Sequence, residues 1–235
     1  MRSNDAVTGA QSLACRSQCG KSTMRMTKEM VQADLDALPE SYRTKDVDAL
    51  IRRYVKNNAD VSALRGYVMT EQQFHRIYFY VTLDQIGSVN DRMSFIDHNL
   101  LFDDWWHTDE LIKYVADLDF KTAISYAGKY VLSDHPFIRR WGYVMFISKL
   151  GRGHAENLLP LMKDDDHYYV QMGEAWLIAE LAVDEPDKIY RWMANDGMKY
   201  NINGKAIQKI CDSYRISDEW KEHFKGLRKA LRTRQ

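Results

Sequence analysis

The stretch that decides the fold is SDHPFIRRWGYVMFI, residues 133–147, in which apolar side chains recur every three or four positions. That spacing places them on one face of an α-helix, and Pro136 suits the first turn. The segments LLFDDWWHTDELI at 100–112 and YYVQMGEAWLIAE at 168–180 follow a similar pattern. The three segments therefore predict three related helices.

The spacing between these segments predicts a repeat. A shift of 32 residues aligns Phe137 with Tyr169 and His135 with His167, and the same shift backward places Trp105 under Phe137. A period of this length with two helices per unit is typical of a helical solenoid. Equivalent positions of successive repeats then form a stripe, so we expect one helix of each unit to line a concave surface.

The rest of the chain also has a helical pattern. From Lys28 onward apolar residues recur at intervals of three and four, and only four prolines interrupt them. Thr70 with Gln73 predicts a capping box, Asp119 a helix cap, and Pro186 a first turn. We predict an all-α protein with helices at 28–37, 45–57, 71–86, 89–99, 105–117, 120–132, 136–150, 154–163, 167–182, 187–195, 203–214 and 218–232.

The charge balance argues against a protein that is basic all over. The 33 Lys and Arg residues match 33 Asp and Glu residues, which gives a formal net charge of zero. Nucleic-acid binders often carry a global positive field, and this chain does not. Basic residues are nevertheless concentrated in the stretch from Ser217 to Gln235, so local positive charge is compatible with the neutral total.

Cysteine usage and hydropathy indicate a compartment. Cys15, Cys19 and Cys211 are too few for a disulfide framework, and an odd number fits a reducing environment. No apolar run approaches the ~20 residues that span a bilayer, and the N-terminus lacks the apolar core of a signal peptide. We therefore expect a soluble, cytoplasmic protein that does not contact membranes.

The N-terminal segment differs in composition from the remainder. Residues 1–26 are mostly polar and small, which predicts a disordered leader before a single helical-repeat domain at 27–235. Residues 1–23 are interpreted as lying upstream of the natural start, since Met24 and Met26 follow them. The run from Gly20 to Thr23, GKST, resembles the end of a phosphate-binding loop. Cys15 stands where that pattern needs glycine, and no strand precedes it, so we predict no nucleotide site.

Four residues stand out as a candidate site: Trp105, Asp109, Arg140 and Trp176. Subtracting the repeat maps Arg140 onto position 108 and Trp176 onto position 112. Positions 105, 108, 109 and 112 lie within an arc of about 100° on one helix face. Two aromatic rings, a carboxylate and a guanidinium on one face predict a site for a cationic ligand that belongs to a polyanion.

Structural roles explain the same residues in a different way. Two tryptophans on such a face commonly belong to a core, and Asp109 can neutralise a helix dipole. Arg140 and its neighbour Arg139 can form a solvated pair.

A metal site is a further alternative. Asp103, Asp104, His107 and Asp109 follow a spacing at which carboxylates and imidazole converge on a helix. Metal sites usually take ligands from other segments as well, and none is evident, so we predict no metal.

The segments resemble the AlkD family of alkylpurine DNA glycosylases, HEAT-like helical solenoids that excise N-alkylated purines from DNA. Trp105 and Asp109 match a Trp-x-x-x-Asp pattern, Arg140 follows the Ser133-Asp134 pair, and Trp176 follows an aromatic run with Gln171. The resemblance covers residues 71–215, and its C-terminal part consists of Pro186-Asp187 and Lys205-Ala206-Ile207.

The resemblance implies a DNA repair glycosylase without cofactors that acts as a monomer on double-stranded DNA carrying alkylated bases. An N-alkylated purine is already cationic, so its glycosidic bond breaks through an oxocarbenium-like state that the enzyme must stabilise. The implied catalytic residues are Asp109, Trp105 and Trp176. The implied DNA-binding residues are Arg140, Arg139, Lys113 and Lys149. Such enzymes can act without flipping the base.

A non-catalytic function is the alternative. The N-terminal region is shorter than in that family, and only the stretch from Tyr54 to Asn57 resembles the family's DNA-binding helix. Together with the neutral net charge, this also fits a HEAT-like repeat protein that binds DNA structures or a protein partner.

Overall fold

The structure is a computed structural model that describes residues 23–195 and 197–233. Residues 1–22 of the predicted leader lie outside this part of the chain. The described residues form α-helices and short 3₁₀ helices with no β-strand, which confirms the all-α prediction. Each of these helices is too short or too polar to span a lipid bilayer.

Thirteen α-helices follow one another along the described residues. They are α1 (Lys28–Asp36), α2 (Thr44–Lys56), α3 (Gln72–Gln85), α4 (Val89–His98), α5 (Trp105–Asp109), α6 (Ile112–Val115), α7 (Phe120–Tyr130), α8 (Pro136–Val144), α9 (Ala155–Leu158), α10 (Tyr168–Asp184), α11 (Pro186–Asn195), α12 (Tyr200–Asp212) and α13 (Asp218–Arg232). The 3₁₀ helices are Ser62–Tyr67, Lys149–Gly151 and Leu159–Leu161.

The predicted period is visible in the helix starts. Helices α3, α5, α8, α10 and α12 begin at residues 72, 105, 136, 168 and 200, which are intervals of 33, 31, 32 and 32 residues. Helix α8 packs between α5 and α10, and α12 packs on the other side of α10. These four helices therefore form a row in chain order, and α7 and α11 pack behind it against α8 and α10.

Several predicted helices are shorter than expected. The predicted helix at 105–117 is interrupted between α5 and α6, where the N–H groups of Leu111 and Tyr114 bond three residues back instead of four. Thr108 Oγ1 also donates to the Trp105 carbonyl at 2.8 Å, and such back-bonding weakens a helix interior. The predicted helix at 154–163 changes to a 3₁₀ turn at Leu159–Leu161, where Pro160 supplies no N–H.

Most of the helix starts that were predicted from capping residues and prolines are present in the structure. Asp119 caps α7, since its Oδ2 accepts from the Thr122 N–H at 2.9 Å, and α8 and α11 begin at Pro136 and Pro186 as predicted. The capping box at Thr70 is wrong. The Thr70 hydroxyl donates to the Tyr67 carbonyl at 2.7 Å, as does the Thr70 N–H at 3.0 Å, and α3 begins after Glu71 without a side-chain cap.

The start of the described chain is attached to the domain. Met26 is buried and donates its N–H to the Asp60 carbonyl at 2.8 Å, while the Asp60 N–H donates to the Met24 carbonyl at 2.9 Å. The sequence placed residues 24–26 in the leader. The hydrogen bonds with Asp60 attach these residues to the domain, and Met26 alone of the three is buried.

A buried histidine ties α3 to the start of α5. His75 is 1% exposed, its ring stacks on His107 at 3.6 Å between centroids, and its Nε2 lies 3.2 Å from the Leu101 carbonyl oxygen. Burial, with a smaller contribution from His107, lowers the pKa of His75 to about 2. The ring is therefore neutral at physiological pH, and Nε2 carries the proton that it donates to Leu101.

Acidification should destabilise the protein through His75. The unfolded chain takes up a proton at the ordinary histidine pKa near 6.5, whereas the folded chain does so only near pH 2. The contribution of neutral His75 to the unfolding free energy is therefore fully present above pH 6.5. It is lost as the pH drops toward 2, by about 1.4 kcal/mol per pH unit at most. Urea unfolding between pH 7 and 5 should show this slope reduced in His75→Phe and unchanged in His223→Gln, which alters an exposed histidine. Equal slopes in all three proteins would contradict the assignment.

Candidate functional site

A pocket of about 330 Å³ opens on the row formed by α5, α8, α10 and α12. All four residues singled out from the sequence line it, although they come from three successive repeats. The complete lining is Trp105, Asp109, Arg140, Tyr168, Tyr169, Met172, Trp176 and Lys209.

The floor of the pocket is an ion pair between Asp109 on α5 and Arg140 on α8. Arg140 Nη2 donates to Asp109 Oδ1 at 2.8 Å and to Oδ2 at 2.9 Å, and Arg140 Nε lies 3.1 Å from Oδ1. The side chains are 4% and 16% exposed for Arg140 and Asp109, respectively. Shielded from water, this charged fork holds the carboxylate in one orientation.

The remaining contacts of Arg140 extend the fork to a third helix. Nη1 donates to the Tyr169 carbonyl on α10 at 2.6 Å, and Nε lies 3.2 Å from Thr108 Oγ1. The 32-residue shift places Arg140 on position 108, and the contact with Thr108 joins these equivalent positions. Each guanidinium nitrogen is thus engaged within the protein. In this structure Arg140 supports the Asp109 carboxylate, and its contact with a DNA phosphate, which the resemblance implies, stays a prediction.

One oxygen of Asp109 retains capacity for a ligand. Oδ1 receives contacts from Arg140 and from the Thr108 hydroxyl at 3.1 Å, whereas Oδ2 accepts a single hydrogen bond, from Arg140 Nη2. Burial raises the pKa of Asp109, and the charge and hydrogen bonds of Arg140 act in the opposite direction. The two hydrogen bonds from Arg140 Nη2 favour the ionised carboxylate, and Oδ2 can act as an acceptor toward the pocket.

Aromatic rings form the walls and mouth of the pocket. Trp105 is 44% exposed and Tyr168 57% exposed, whereas Trp176 packs partly against the core. Trp105 and Tyr168 thus expose aromatic surface together at one pocket. The core interpretation therefore applies to one face of Trp176 and does not apply to Trp105.

Lys209 on α12 brings an amine to the pocket. Its Nζ lies 5.5 Å from the centroid of the Trp176 ring. Burial and the charge of Arg140 lower the pKa of Lys209, while Asp109 acts in the opposite direction. The lining contains one acid, Asp109, and two bases, Arg140 and Lys209. The pocket therefore carries a net charge of +1 when Lys209 is protonated and Asp109 is ionised.

Positive charge continues beside the pocket. An adjoining recess of about 530 Å³ shares Met172 and Lys209 with it and is also lined by Lys205, Asp212 and Arg228. Three bases and one acid face this recess. A local basic surface therefore borders the site within a chain whose total charge is zero.

The other predicted DNA contacts lie outside the pocket lining. Arg139 binds Asp165 through Nε at 2.6 Å and donates to the carbonyls of Ser133 and Asp134, each at 2.9 Å. Lys113 Nζ lies over the Tyr80 ring at 3.8 Å from its centroid. Lys149 forms an exposed ion pair with Asp117. Each of the three cations thus contacts a group within the protein, and their implied contacts with DNA stay predictions.

Sequence reasoning missed Tyr168, Tyr169, Met172 and Lys209. The repeat contained the signal for two of them, because Tyr169 is 64 residues beyond Trp105 and Met172 is 32 residues beyond Arg140. Lys209 follows neither relation, and only the packing of α12 on α10 brings it to the pocket.

Neither a metal site nor a similarity to known proteins indicates what the pocket binds. Among the described residues, no group of three or more His, Cys, Asp or Glu side chains is arranged to hold a metal ion. Comparison of the chain with protein-family models, curated proteins and solved structures reveals no match. The function is therefore inferred from the chemistry of the pocket and the sequence motifs.

The fork should contribute strongly to stability as a pair. Removing either Asp109 or Arg140 leaves a poorly solvated charge without its partner, so each alanine variant should lose about 3 kcal/mol of unfolding free energy. A double-mutant cycle measured by urea unfolding should give a coupling energy of about 2 kcal/mol. The exposed pair of Asp187 and Arg191 is the control and should couple by less than about 0.5 kcal/mol. Similar coupling in both cycles would show that the fork does not depend on burial.

Proposed function

We propose that this protein is a DNA glycosylase that excises cationic N-alkylated purines, such as 3-methyladenine and 7-methylguanine. The observation that carries the proposal is the Asp109 carboxylate, fixed by Arg140 at the floor of a pocket with Trp105 and Trp176 in its lining. The motif resemblance to the AlkD family adds independent support for the same residues.

We further infer that the helices form a HEAT-like solenoid with a concave DNA-binding face. The near-constant interval between helix starts and the row of α5, α8, α10 and α12 support this architecture. The pocket opens on that row, and the basic recess beside it offers Lys205 and Arg228 to the phosphates of a bound duplex.

Asp109 is assigned the main catalytic contribution. When the bond between sugar and alkylated base breaks, positive charge moves onto the sugar, and Oδ2 stabilises that charge or orients the attacking water. At about 4 Å and an effective dielectric near 20, one carboxylate contributes about 4 kcal/mol, roughly a thousandfold in rate. A side chain already held in place by Arg140 does not need to reorganise during the reaction.

Trp105 and Trp176 are assigned to the recognition of the cation. A cationic purine or sugar over an indole face gains ~0.5 to 2 kcal/mol, according to how well water is excluded. Trp105 is exposed and can meet a base that stays in the duplex, whereas Trp176 forms part of the pocket lining next to Lys209. The two rings thus select positive charge, and Asp109 acts on the bond that breaks.

A binding function without catalysis is the second candidate, and the charge of the pocket favours it. Arg140 compensates Asp109, and protonated Lys209 adds a further positive charge, so the pocket as a whole attracts anions. A module that binds DNA structures would need this charge and no reaction. It predicts salt-dependent DNA binding without release of bases.

Release of free bases from methylated DNA distinguishes the two functions. The wild type should release 3-methyladenine or 7-methylguanine, and Asp109→Asn, which keeps the shape but removes the charge, should be slower by about 100- to 1000-fold. Asp187→Asn, which changes an exposed acid on α11, is the matched control and should retain the wild-type rate. Chromatography of released bases under single-turnover conditions measures both. Binding of the DNA without base release, or full activity in Asp109→Asn, would contradict the proposal.

A further inference from the structure

Lys209 has no assigned part in base excision, although it lines the same pocket as Asp109. Its Nζ makes no hydrogen bond or ion pair with another described residue, and its contact is with the face of Trp176. The neighbouring Lys205 is engaged differently, since it donates to Gln171 Oε1 at 2.9 Å. Lys209 therefore presents an uncommitted amine inside the candidate active site.

The product of base excision is chemically matched to such an amine. Loss of the base leaves an abasic deoxyribose, and the ring-opened form of this sugar carries an aldehyde at C1′. Amines of lysine react with aldehydes to form Schiff bases when they are neutral. The sugar that Asp109 acts on in the proposed excision would leave its C1′ in the pocket that Lys209 lines.

We propose that Lys209 attacks C1′ of the abasic product and that the protein thereby also cleaves the DNA strand at that site. This activity rests on the proposed function, because it places the lesion's sugar in this pocket. The protein would thus have a second substrate, the abasic site, and a second reaction, β-elimination.

The reaction balances without a cofactor. The lone pair of Lys209 Nζ adds to C1′ and water leaves, which gives an imine. A base removes one C2′ proton, the electron pair of that C–H bond forms a double bond, and the C3′–O bond breaks with its electrons remaining on the departing phosphate. Hydrolysis of the imine restores Lys209 and releases an unsaturated aldehyde. The base is assigned to Asp109 Oδ2, which accepts only one hydrogen bond from the protein.

The surroundings of Lys209 favour the neutral amine that this step needs. Burial and the nearby charge of Arg140 lower the pKa of Lys209. Desolvation beside another cation is a recognised way to activate a lysine nucleophile. Nζ is also close to the indole face of Trp176. The indole can pack against the ring-opened sugar and hold its C1′ next to the amine.

Borohydride trapping tests the proposal without requiring base excision. The full-length protein is incubated with a duplex that carries one preformed abasic site, and sodium borohydride is added to reduce any imine to a stable amine. The wild type should form a covalent protein–DNA adduct that peptide mass spectrometry maps to Lys209. Lys209→Arg keeps the positive charge but lacks a primary amine, so it should bind the abasic duplex and lose the adduct. Thermal unfolding of both proteins confirms that the fold is intact.

The outcomes separate this proposal from the proposed glycosylase. Base release from methylated DNA without any adduct on the abasic duplex would overturn the lyase activity and leave the glycosylase intact. An adduct of equal yield in Lys209→Arg, or one that maps to another amine, would also overturn it. An adduct at Lys209 in a protein that releases no alkylated base would support the lyase step and contradict the glycosylase. Asp109→Asn should form the adduct but cleave the strand more slowly.

Discussion

The ion pair between Arg140 and Asp109 is the interaction on which the site depends. It connects α5 to α8, and Arg140 extends it to the Tyr169 carbonyl at the start of α10. Three successive repeats are thus joined through one guanidinium group. Either charge alone would be almost buried without compensation, which is costly in a protein interior. The contacts of Arg140 that hold these helices together therefore also orient the Asp109 carboxylate.

The pair also determines how the pocket interacts with a charged ligand. Arg140 compensates Asp109 when the pocket is viewed as a whole, but the two lie at different positions relative to a ligand. Both side chains line the pocket, but Arg140 is the more buried, with 4% of its side chain exposed against 16% for Asp109. A charge that develops close to Oδ2 interacts more strongly with the carboxylate than with the more distant guanidinium, since the interaction falls with distance. Lys205 and Arg228 of the basic recess can meanwhile attract the phosphates of the proposed DNA substrate.

The sequence was sufficient for the helix class and the repeat, because both follow from the periodicity of apolar residues. The 32-residue shift also placed Arg140 on position 108, and Arg140 contacts Thr108. The partner of Arg140 was not predictable from spacing, because burial and side-chain direction decide between a phosphate and a carboxylate. At the break between α5 and α6, backbone N–H groups donate to carbonyls three residues earlier instead of four, and the spacing of apolar residues does not reveal this change. Lys209 required the packing of α12 on α10.

The most direct test is whether the pocket distinguishes a cationic sugar from a neutral one through Asp109. Two duplexes are compared, one with a cationic iminosugar at the abasic position and one with a neutral tetrahydrofuran, at the same ionic strength. We expect the wild type to bind the cationic duplex at least about tenfold more tightly, because that sugar mimics the transition state, and we expect Asp109→Asn to lose this preference. Equal affinity of the wild type for both duplexes would contradict this expectation.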